Sequence, residues 1–378
     1  MFEAAKVAPV ISQMAPGAFF EAHREEVAAA MMRVVDSGWY ILGKEVAAFE
    51  HEFADYFGFG GAVGVASGTD AIVLALRTLG IGFGDRVATV SHTAVATVAA
   101  IEIAGASPVF LDVTPNTYVL DPASLERTLN EVDSIRAVIA VHLYGHPADI
   151  PAITSIAKAH GVFVIEDCSQ AHGAKIDRFF AGGLADIGTF SFYPTKNLGA
   201  LGDGGMVVFR HVEDIKRARS LREYGWERRY ISEAPGMNTR LDEVQAAILR
   251  VRLPYLRAGN ERRRQIAAAY DDGLRNVGLT LPLEQAGVTH VYHQYVVRHP
   301  DRNHFQRLLK ERGVGTNIHY PVPVHLQPAY EKRCCTDPAG LGVTELVADE
   351  ILSLPMYPEL TDADVASVVD IVCNSIEK

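Results

Sequence analysis

Short apolar runs alternate with amphipathic stretches along the greater part of this 378-residue chain. The runs lie near residues 62–65, 86–90, 107–111, 137–141, 161–165, 188–192 and 205–209, and glycines and prolines punctuate the joins. Runs of this length predict β-strands, and the stretches between them have the spacing of helices. The alternation is typical of an α/β fold with a mostly parallel, seven-stranded sheet flanked by helices; the last strand is a candidate for antiparallel pairing.

The C-terminal part of the chain predicts a second, smaller unit. A helical pattern over residues 21–57 precedes the first strand, and a long helical stretch over 241–272, interrupted by Pro254, follows the last. Residues 295–298 and 314–320 then have the pattern of strands. We therefore predict a large cofactor-binding domain over residues 1–250 and a small α/β domain over residues 251–378.

One lysine stands out because of its place in the predicted sheet. The run 188–192 is ended by Pro194, so Lys196 lies in the loop at a strand's carboxyl end, and Asp167 closes the strand before it. Such ends share one edge of a parallel sheet, where ligands bind. A lone lysine is usually a solvated charge, and a strand-end aspartate is often a turn residue. Together they fit pyridoxal 5'-phosphate, which needs an amine to hold its aldehyde and a carboxylate at its ring nitrogen.

A candidate phosphate site lies earlier in the chain. The segment from Ser67 to Asp70, with Gly68 and Thr69 between them, comes directly before the apolar helical pattern of residues 71–76. Glycine lets the backbone approach an anion, and a helix N-terminus offers free N–H groups and the positive end of its dipole. An ordinary helix cap has the same composition. The order of helix start, aspartate and lysine is more specific than any one of them.

Composition narrows the class of protein. With 48% hydrophobic and 21% charged residues the chain has the composition of a soluble globular protein, and its formal net charge of -11 argues against nonspecific nucleic-acid binding. Four cysteines without paired spacing, and an acidic N-terminus with no apolar signal segment, predict a cytoplasmic protein. The apolar stretch 94–106 is interrupted by Glu102, so no membrane span is predicted.

Two clusters of titratable residues favour structural interpretations. His142 and His146 have the spacing of helix-borne metal ligands, but the run before His142 predicts a strand, so we predict no metal site. The basic cluster 262–264 is typical of a solvated helix face, with contact to a substrate phosphate as the alternative.

Six ordered motifs make the chain similar to a known family. They are Ser67–Ala71, Glu166–Gly173, Ser191–Leu198, Gly202–Gly205, Gly236–Ala247 and His319–His325. From Gly38 to about Tyr330, the chain resembles the DegT/DnrJ/EryC1/StrS sugar aminotransferases, a branch of the fold-type I pyridoxal phosphate enzymes with an aspartate aminotransferase-like fold.

The resemblance implies roles for the residues around the cofactor ring. Lys196 would be the catalytic Schiff-base lysine, Asp167 would contact the pyridine nitrogen, and Gln170 would lie near the ring's phenolic oxygen. The family usually places an aromatic residue over the ring, and the motif puts Ala94 at that position. Either His92 supplies the stacking plane or the ring lacks one.

The resemblance also implies a shared active site. Gly68, Thr69 and Ser191 would hold the cofactor's phosphate, and Asn238 would reach the same phosphate from the partner subunit. The protein would then be a homodimer in which each site is built from both chains.

The activity implied is transfer of an amino group from L-glutamate, carried on the cofactor as pyridoxamine 5'-phosphate, to a keto group of a nucleotide-linked sugar. Tyr320 and His325 would line the sugar pocket, with a structural role in a proline-rich turn as the alternative. Arg228 and Arg229, in the irregular segment before the Asn238 motif, are candidates for contacts to the diphosphate.

One segment bears on which sugar carbon is aminated. Leu221–Ser232 resembles members that act on dTDP-linked 3-keto-6-deoxyhexoses, whereas members that act at C4 often carry histidine in place of Tyr224. This favours C3. The alternatives are a C4-specific nucleotide-sugar aminotransferase and a noncatalytic regulatory or binding protein of the same fold. Lys196 argues against the family's dehydratases, in which histidine replaces that lysine.

Overall fold

The structure is a computed structural model that describes residues 11–331 and 333–376. Helices and strands alternate through most of this part of the chain. The helices are α1 (Ala18–Ala22), α2 (Arg24–Ser37), α3 (Lys44–Phe57), α4 (Gly68–Thr78), α5 (Val95–Ala104), α6 (Pro122–Glu131), α7 (Ile150–Ala159), α8 (Val212–Arg222), α9 (Glu243–Arg252), α10 (Leu256–Leu274), α11 (Arg302–Glu311), α12 (Gly342–Glu350) and α13 (Asp362–Ile376).

The strands fall into one large sheet and three small ones. They are β1 (Gly61–Val65), β2 (Arg86–Val90), β3 (Ser107–Leu111), β4 (Ile135–Val141), β5 (Phe163–Asp167), β6 (Lys175–Ile176), β7 (Phe179–Phe180), β8 (Ile187–Ser191), β9 (Gly205–Phe209), β10 (Trp226–Arg228), β11 (Ile231–Ser232), β12 (Val288–Thr289), β13 (Tyr295–Arg298), β14 (Cys335–Thr336) and β15 (Ile351–Leu354).

The large sheet confirms the predicted α/β architecture. Its strand order is β1-β9-β8-β5-β4-β2-β3-β14, and the neighbours from β8 to β14 pair in parallel. As the pattern suggested, β9 is antiparallel to both of its neighbours, β1 and β8. The seven predicted strands are all present, and the two-residue β14 adds an eighth at the edge, too short for a sequence pattern to reveal.

Burial on both faces explains why these strands are apolar throughout rather than alternating. Every residue of β8 and β9 is buried, and so are the last four of β2, because α4 packs on this sheet and on α5. The strands and α4 contribute most of the largest cluster of buried side chains.

The topology brings the candidate site residues to one edge of the sheet. Asp167 pairs with Thr189 in the parallel β5–β8 register, and Ser191 at the end of β8 pairs with Gly205 of β9. Gly205 in turn pairs with Val65, the last residue of β1. The ends of β5, β8 and β1 therefore lie side by side, where α4 and the Lys196 loop begin.

The C-terminal part contains a second cluster of buried side chains. It includes Tyr270, Tyr295 and Phe305 and extends to Val372. A two-stranded sheet of β13 and β15 lies within it, so the strand predicted at 295–298 is confirmed. The division of the chain at residue 250 stays a prediction.

The strand predicted over residues 314–320 is wrong. Val314 and Asn317 each form only an isolated bridge, Val314 to Ile11 and Asn317 to Ser353, and the segment does not continue as a ladder. The partner of β13 is instead β15, which the sequence reading missed because its four residues follow α12 without a break.

The predicted helical stretches are present with interruptions. The 21–57 pattern divides into α1, α2 and α3, and α2 ends at Gly38 in the left-handed conformation, φ 64°. Residues 253–255 form a 3-10 turn at Pro254, between α9 and α10. Within the described residues no helix has the length and apolar character to span a membrane.

Candidate active site

A cavity of about 210 Å³ opens at the edge of the sheet where β5 and β8 end. It brings together most of the residues that the sequence assigned to the cofactor. These are Gly68, Thr69, Asp167, Gln170, Ser191 and Lys196. Ser67, Thr93, Ala94, Thr97, Tyr193 and Asp203 line the same cavity.

The start of α4 forms one wall of the cavity. Ser67 caps this helix by accepting a hydrogen bond from the Asp70 N–H at 3.1 Å. A Cβ on Gly68 would lie 2.6 Å from the Ser191 Cβ, so only glycine allows the helix start to approach β8 this closely. The result is a row of backbone N–H groups and hydroxyls suited to a phosphate.

Asp167 lies opposite, buried and held at both carboxylate oxygens. The Thr97 hydroxyl donates to Oδ2 at 3.0 Å, and the Ser169 N–H donates to Oδ1 at 3.1 Å. Only 4% of the Asp167 surface is exposed. These contacts fix the carboxylate in an orientation suited to a protonated ring nitrogen. Sequence reasoning missed Thr97, since a threonine in a helix carries no signal for such a role.

Lys196 lies in a tight turn just after β8. Its N–H donates to the Tyr193 carbonyl at 2.8 Å, which turns the side chain back toward the cavity that Asp167 lines. Burial lowers the pKa of the Lys196 amine to about 8, and the Asp167 carboxylate partly offsets this effect. A larger fraction of this amine is therefore neutral than for an exposed lysine. Only the neutral amine can form an imine.

The side chain of Gln170 is oriented by two contacts. Its Oε1 accepts from the Tyr144 N–H at 2.8 Å, and its Nε2 donates to the Tyr320 hydroxyl at 3.0 Å. Because a backbone N–H can only donate, the amide oxygen is assigned to that side and the NH₂ group faces Tyr320. Gln170 therefore presents a donor, as a phenolic oxygen would need.

The position over the predicted cofactor ring lacks an aromatic residue from this segment. Ala94 lines the cavity, whereas His92 is fully buried outside it and its Nε2 lies 2.9 Å from the Tyr144 hydroxyl. His92 is therefore not among the residues that line the cavity, and which residue stacks on the ring stays open. Tyr193 is an aromatic residue that lines the cavity.

The remaining predicted site residues lie outside the cavity. Asn238 is exposed and forms a bridge with Glu223. Arg228 and Arg229 are exposed on the hairpin that joins β10 and β11. These three residues are free to meet a second chain or a large ligand.

His325 is engaged by its own chain. Its Nδ1 lies 2.7 Å from the Ser91 hydroxyl and its Nε2 lies 3.2 Å from a Glu345 carboxylate oxygen. Tyr320, through its contact with Gln170, is therefore the nearer of the two predicted sugar contacts to the cavity.

A buried group of His142, Glu166 and Cys168 has its ligand atoms within 4.8 Å of one another. The His142 ring is fully used, since Nδ1 accepts from the Ala148 N–H at 2.9 Å and Nε2 lies 3.1 Å from Glu166. Glu166 also accepts from backbone N–H groups in the 182–185 loop at 2.8 Å. The group is an internal hydrogen-bond network that supports the strand carrying Asp167.

Comparison with known proteins agrees with the geometry of the cavity. Residues 21–373 match the profile of the DegT/DnrJ/EryC1/StrS aminotransferase family. The dTDP-3-amino-3,4,6-trideoxy-alpha-D-glucose transaminase of Streptomyces venezuelae is 44% identical, over 94% of this chain and 93% of that relative. A UDP-N-acetyl-3-dehydro-alpha-D-glucosamine 3-aminotransferase of Acidithiobacillus ferrooxidans is 41% identical, over 94% of this chain and 95% of that relative.

A solved structure shares the whole fold. The crystal structure of S. venezuelae DesV in complex with a ketimine intermediate has a TM-score of 0.95 to this chain at 43% identity. The similarity covers 98% of this chain and 100% of that one.

Proposed function

Because the chain belongs to the DegT/DnrJ/EryC1/StrS aminotransferase family, we propose that it is a pyridoxal phosphate-dependent sugar aminotransferase. It transfers the amino group of L-glutamate to C3 of a dTDP-linked 3-keto-6-deoxyhexose. The observation that carries the proposal is that Lys196, Asp167 and the start of α4 all line the same cavity.

Each residue of the cavity has a task that its chemistry suits. When bound, pyridoxal phosphate supplies an electron sink that stabilises negative charge on the substrate carbon. Gly68, Thr69 and Ser191 would hold its phosphate, and Asp167 would accept the hydrogen bond of its ring N–H. Gln170 would donate toward its phenolic oxygen.

The Lys196 amine would hold the cofactor's aldehyde. Once an amino donor takes its place, the freed amine would move a proton between the substrate carbon and the cofactor's C4′ carbon. An amine with a pKa of about 8 can both accept and return a proton near neutral pH. The two halves of the reaction use the same site, so the kinetics should be ping-pong.

Several observations support the sugar nucleotide. Both named relatives are transaminases of 3-amino sugars, one linked to dTDP and the other to UDP. Arg228 and Arg229 are exposed cations on the β10–β11 hairpin, which precedes Asn238 in the chain, and they suit a diphosphate. The Tyr320 hydroxyl accepts a hydrogen bond from Gln170, which lines the cavity, and it suits contact with a sugar hydroxyl.

An exposed apolar surface supports a homodimer. Met32, Val35, Trp39 and Tyr40 lie close together in sequence at the end of α2 and beyond it, and Trp39 is 64% exposed. A lone soluble chain seldom exposes so many large apolar side chains in one short segment. The proposed shared site requires in addition that the exposed Asn238 of the second copy reach the phosphate held by the first.

The test compares Lys196→Ala and Lys196→Arg with Lys216→Ala, a control on α8 whose side chain is 82% exposed. We expect both Lys196 variants to lose roughly a thousandfold or more in transamination while retaining the wild-type far-ultraviolet spectrum. Alanine lacks the amine, and arginine cannot replace it because its guanidinium stays charged. Turnover within about tenfold of wild type in Lys196→Ala would contradict the role of Lys196.

Spectra and product analysis separate the alternatives. The wild-type protein should be yellow, bleach with L-glutamate and recover with a keto sugar. A protein that stays colourless with added cofactor would favour a binding or regulatory function. The carbon that bears the amine, read from the nuclear magnetic resonance spectrum of the product, distinguishes C3 from C4.

A further inference from the structure

A second cavity, of about 250 Å³, lies beside the loop that carries Lys196. Asn197, the residue after Lys196, lines this cavity, whereas Lys196 lines the first one. The rest of its lining comes from three distant parts of the chain: Phe19 and His23 near α1, residues 252–263 of α9 and α10, and Pro358 with Glu359. We call it the Arg252 pocket.

Arg263 is the deepest charged group of the Arg252 pocket, so the predicted solvated face of the 262–264 cluster is wrong for this residue. It is only 4% exposed, and its Nη1 donates to the carbonyl oxygens of Tyr292 at 3.1 Å and Met356 at 3.0 Å. Its Nε and Nη2 have no hydrogen-bond partner among the residues that the structure describes. Half of a buried guanidinium therefore lies ready for an acceptor.

Arg252 adds a second cation to the same pocket. Its guanidinium lies 4.7 Å and 5.1 Å from the ring centroids of Phe19 and Phe20, and its Nη1 donates to the Gly199 carbonyl at 2.9 Å. These contacts hold the group in place and leave its other nitrogens without a described partner. Neither arginine has a carboxylate oxygen within 4.0 Å in residues 11–331 and 333–376.

The charges in the Arg252 pocket do not balance. Burial lowers the pKa of Arg252 and of Arg263 to about 10, and Glu359 partly offsets this for both. Both groups therefore stay protonated at neutral pH. His23 has its own partner, since its Nδ1 lies 3.1 Å from Glu26. Two cations thus face one exposed carboxylate, and buried charges are normally paired.

We propose that the Arg252 pocket binds a small oxyanion, a carboxylate or a phosphate, between the guanidinium groups of Arg252 and Arg263. Guanidinium is the group of choice for such anions because its fork of N–H donors matches their oxygens. The volume is below the range of pockets for drug-sized ligands, which is about 300–1,000 Å³, so a dicarboxylate or inorganic phosphate fits the size better than a nucleotide. The bound anion joins Arg252 at the end of α9 to Arg263 of α10, next to the Lys196 loop.

The test is isothermal titration of the cofactor-loaded protein with sodium glutarate and, separately, with inorganic phosphate. In the loaded protein the phosphate site at α4 is already filled. We expect saturable binding of at least one probe, weakened about tenfold or more by Arg252→Leu. Arg275→Leu is the matched control: it removes an equal charge from the exposed Asp272 pair and should leave the affinity unchanged.

A second variant keeps the test decisive if Arg252→Leu folds poorly. Among the described residues Glu359 is the one carboxylate that lines the pocket, so Glu359→Gln should tighten binding several-fold. The probe that binds more tightly identifies the anion as a carboxylate or a phosphate. If both variants bind the probes with wild-type affinity, the probes bind elsewhere, for example glutarate in the active site, and the proposal is overturned. It is also overturned if neither probe binds, or if a crystal structure shows a carboxylate of a second copy in the pocket.

Discussion

At the scale of single residues, the Asp167 carboxylate is held from two sides, by the Thr97 hydroxyl and by the Ser169 N–H. Lys196, Asp167 and Gly68 lie at strand ends or at a helix start, and parallel strands deliver such positions to one edge of a sheet. Thr97 contacts Asp167 across 70 positions of sequence, and its own surroundings are those of any helical threonine. The family resemblance implies the role of Gln170. The orientation of its amide follows only from the structure, in which the Tyr144 N–H donates to its Oε1.

The contact between Thr97 and Asp167 gives a graded prediction. Asp167→Asn should keep the cofactor yet lose roughly two or more orders of magnitude in rate, because a neutral amide no longer holds the ring nitrogen protonated. Thr97→Val removes only one hydrogen bond to a carboxylate, so we expect a loss of about tenfold. Both rates are measured as single-turnover amino transfer from L-glutamate, followed by absorbance.

Thr89→Val is the control for this pair. It also removes a buried hydroxyl, which donates to the Ile139 carbonyl at 3.1 Å. That hydroxyl does not contact Asp167. A rate equal to wild type in Asp167→Asn would make Asp167 a turn residue. A loss in Thr89→Val as large as in Thr97→Val would mean that the threonine acts through packing alone.

At the scale of elements, strands and long helices are predictable because their patterns are periodic, whereas pairing across distant segments is not. The β5 and β8 strands follow from their apolar runs, whereas the 314–320 segment also contains Asn317 and His319 and forms only two bridges. It meets β15 only through the Asn317–Ser353 bridge, whereas β13 pairs with β15 along four residues. The motif Gly236–Ala247 was identified by resemblance, and the structure shows that one of its residues supports another element.

That residue is Glu243, which caps α3 from a distance of about 200 positions in sequence. Its carboxylate accepts from the backbone N–H groups of Gly43, Glu45 and Val46 at 2.8, 3.0 and 2.9 Å, and it is 3% exposed. A Cβ on Gly43 would lie 2.7 Å from Glu243 Oε2, which is why glycine is needed there. An acidic group at the start of a helix also complements its dipole.

Glu243→Gln should lower the apparent free energy of unfolding by about 2–4 kcal/mol, because an amide has one acceptor oxygen where two are used and leaves buried donors unpaired. Urea unfolding followed by circular dichroism measures this. The control is Glu52→Gln, which breaks the half-exposed pair with Arg250 and should cost under about 1 kcal/mol. An equal loss of unfolding free energy in the two variants would show that Glu243 contributes no more to stability than the half-exposed Glu52.

At the scale of the whole molecule, the fold class and family follow from the sequence, and both are confirmed by the sheet and by the relatives. The Arg252 pocket could not be predicted, because its lining extends from Phe19 to Glu359 and only the tertiary fold brings these together. The homodimer is predicted through the family resemblance alone and stays a proposal. Asn238 is exposed and does not line the cavity of its own chain, so its predicted role at the phosphate requires a second copy.

A shared site predicts activity in hybrid dimers of two inactive variants. Lys196→Ala removes the amine from its own chain's cavity, and Asn238→Ala removes the contribution to the partner's cavity. With C2 symmetry, a hybrid has one site in which both defects meet and one site that is wholly unmutated. We therefore expect the mixture to recover up to about half the wild-type activity per hybrid dimer.

The measurement mixes the two purified variants, confirms subunit exchange by native mass spectrometry, and then follows amino transfer. Mixing Lys196→Ala with Asp167→Asn is the control, because both changes disable the cavity of their own chain and every hybrid site then carries one of them. Recovery with Asn238→Ala but not with this control would support a site shared across the interface. Confirmed hybrids that remain inactive, when each homodimer is also inactive, would make Asn238 a residue of its own chain's fold.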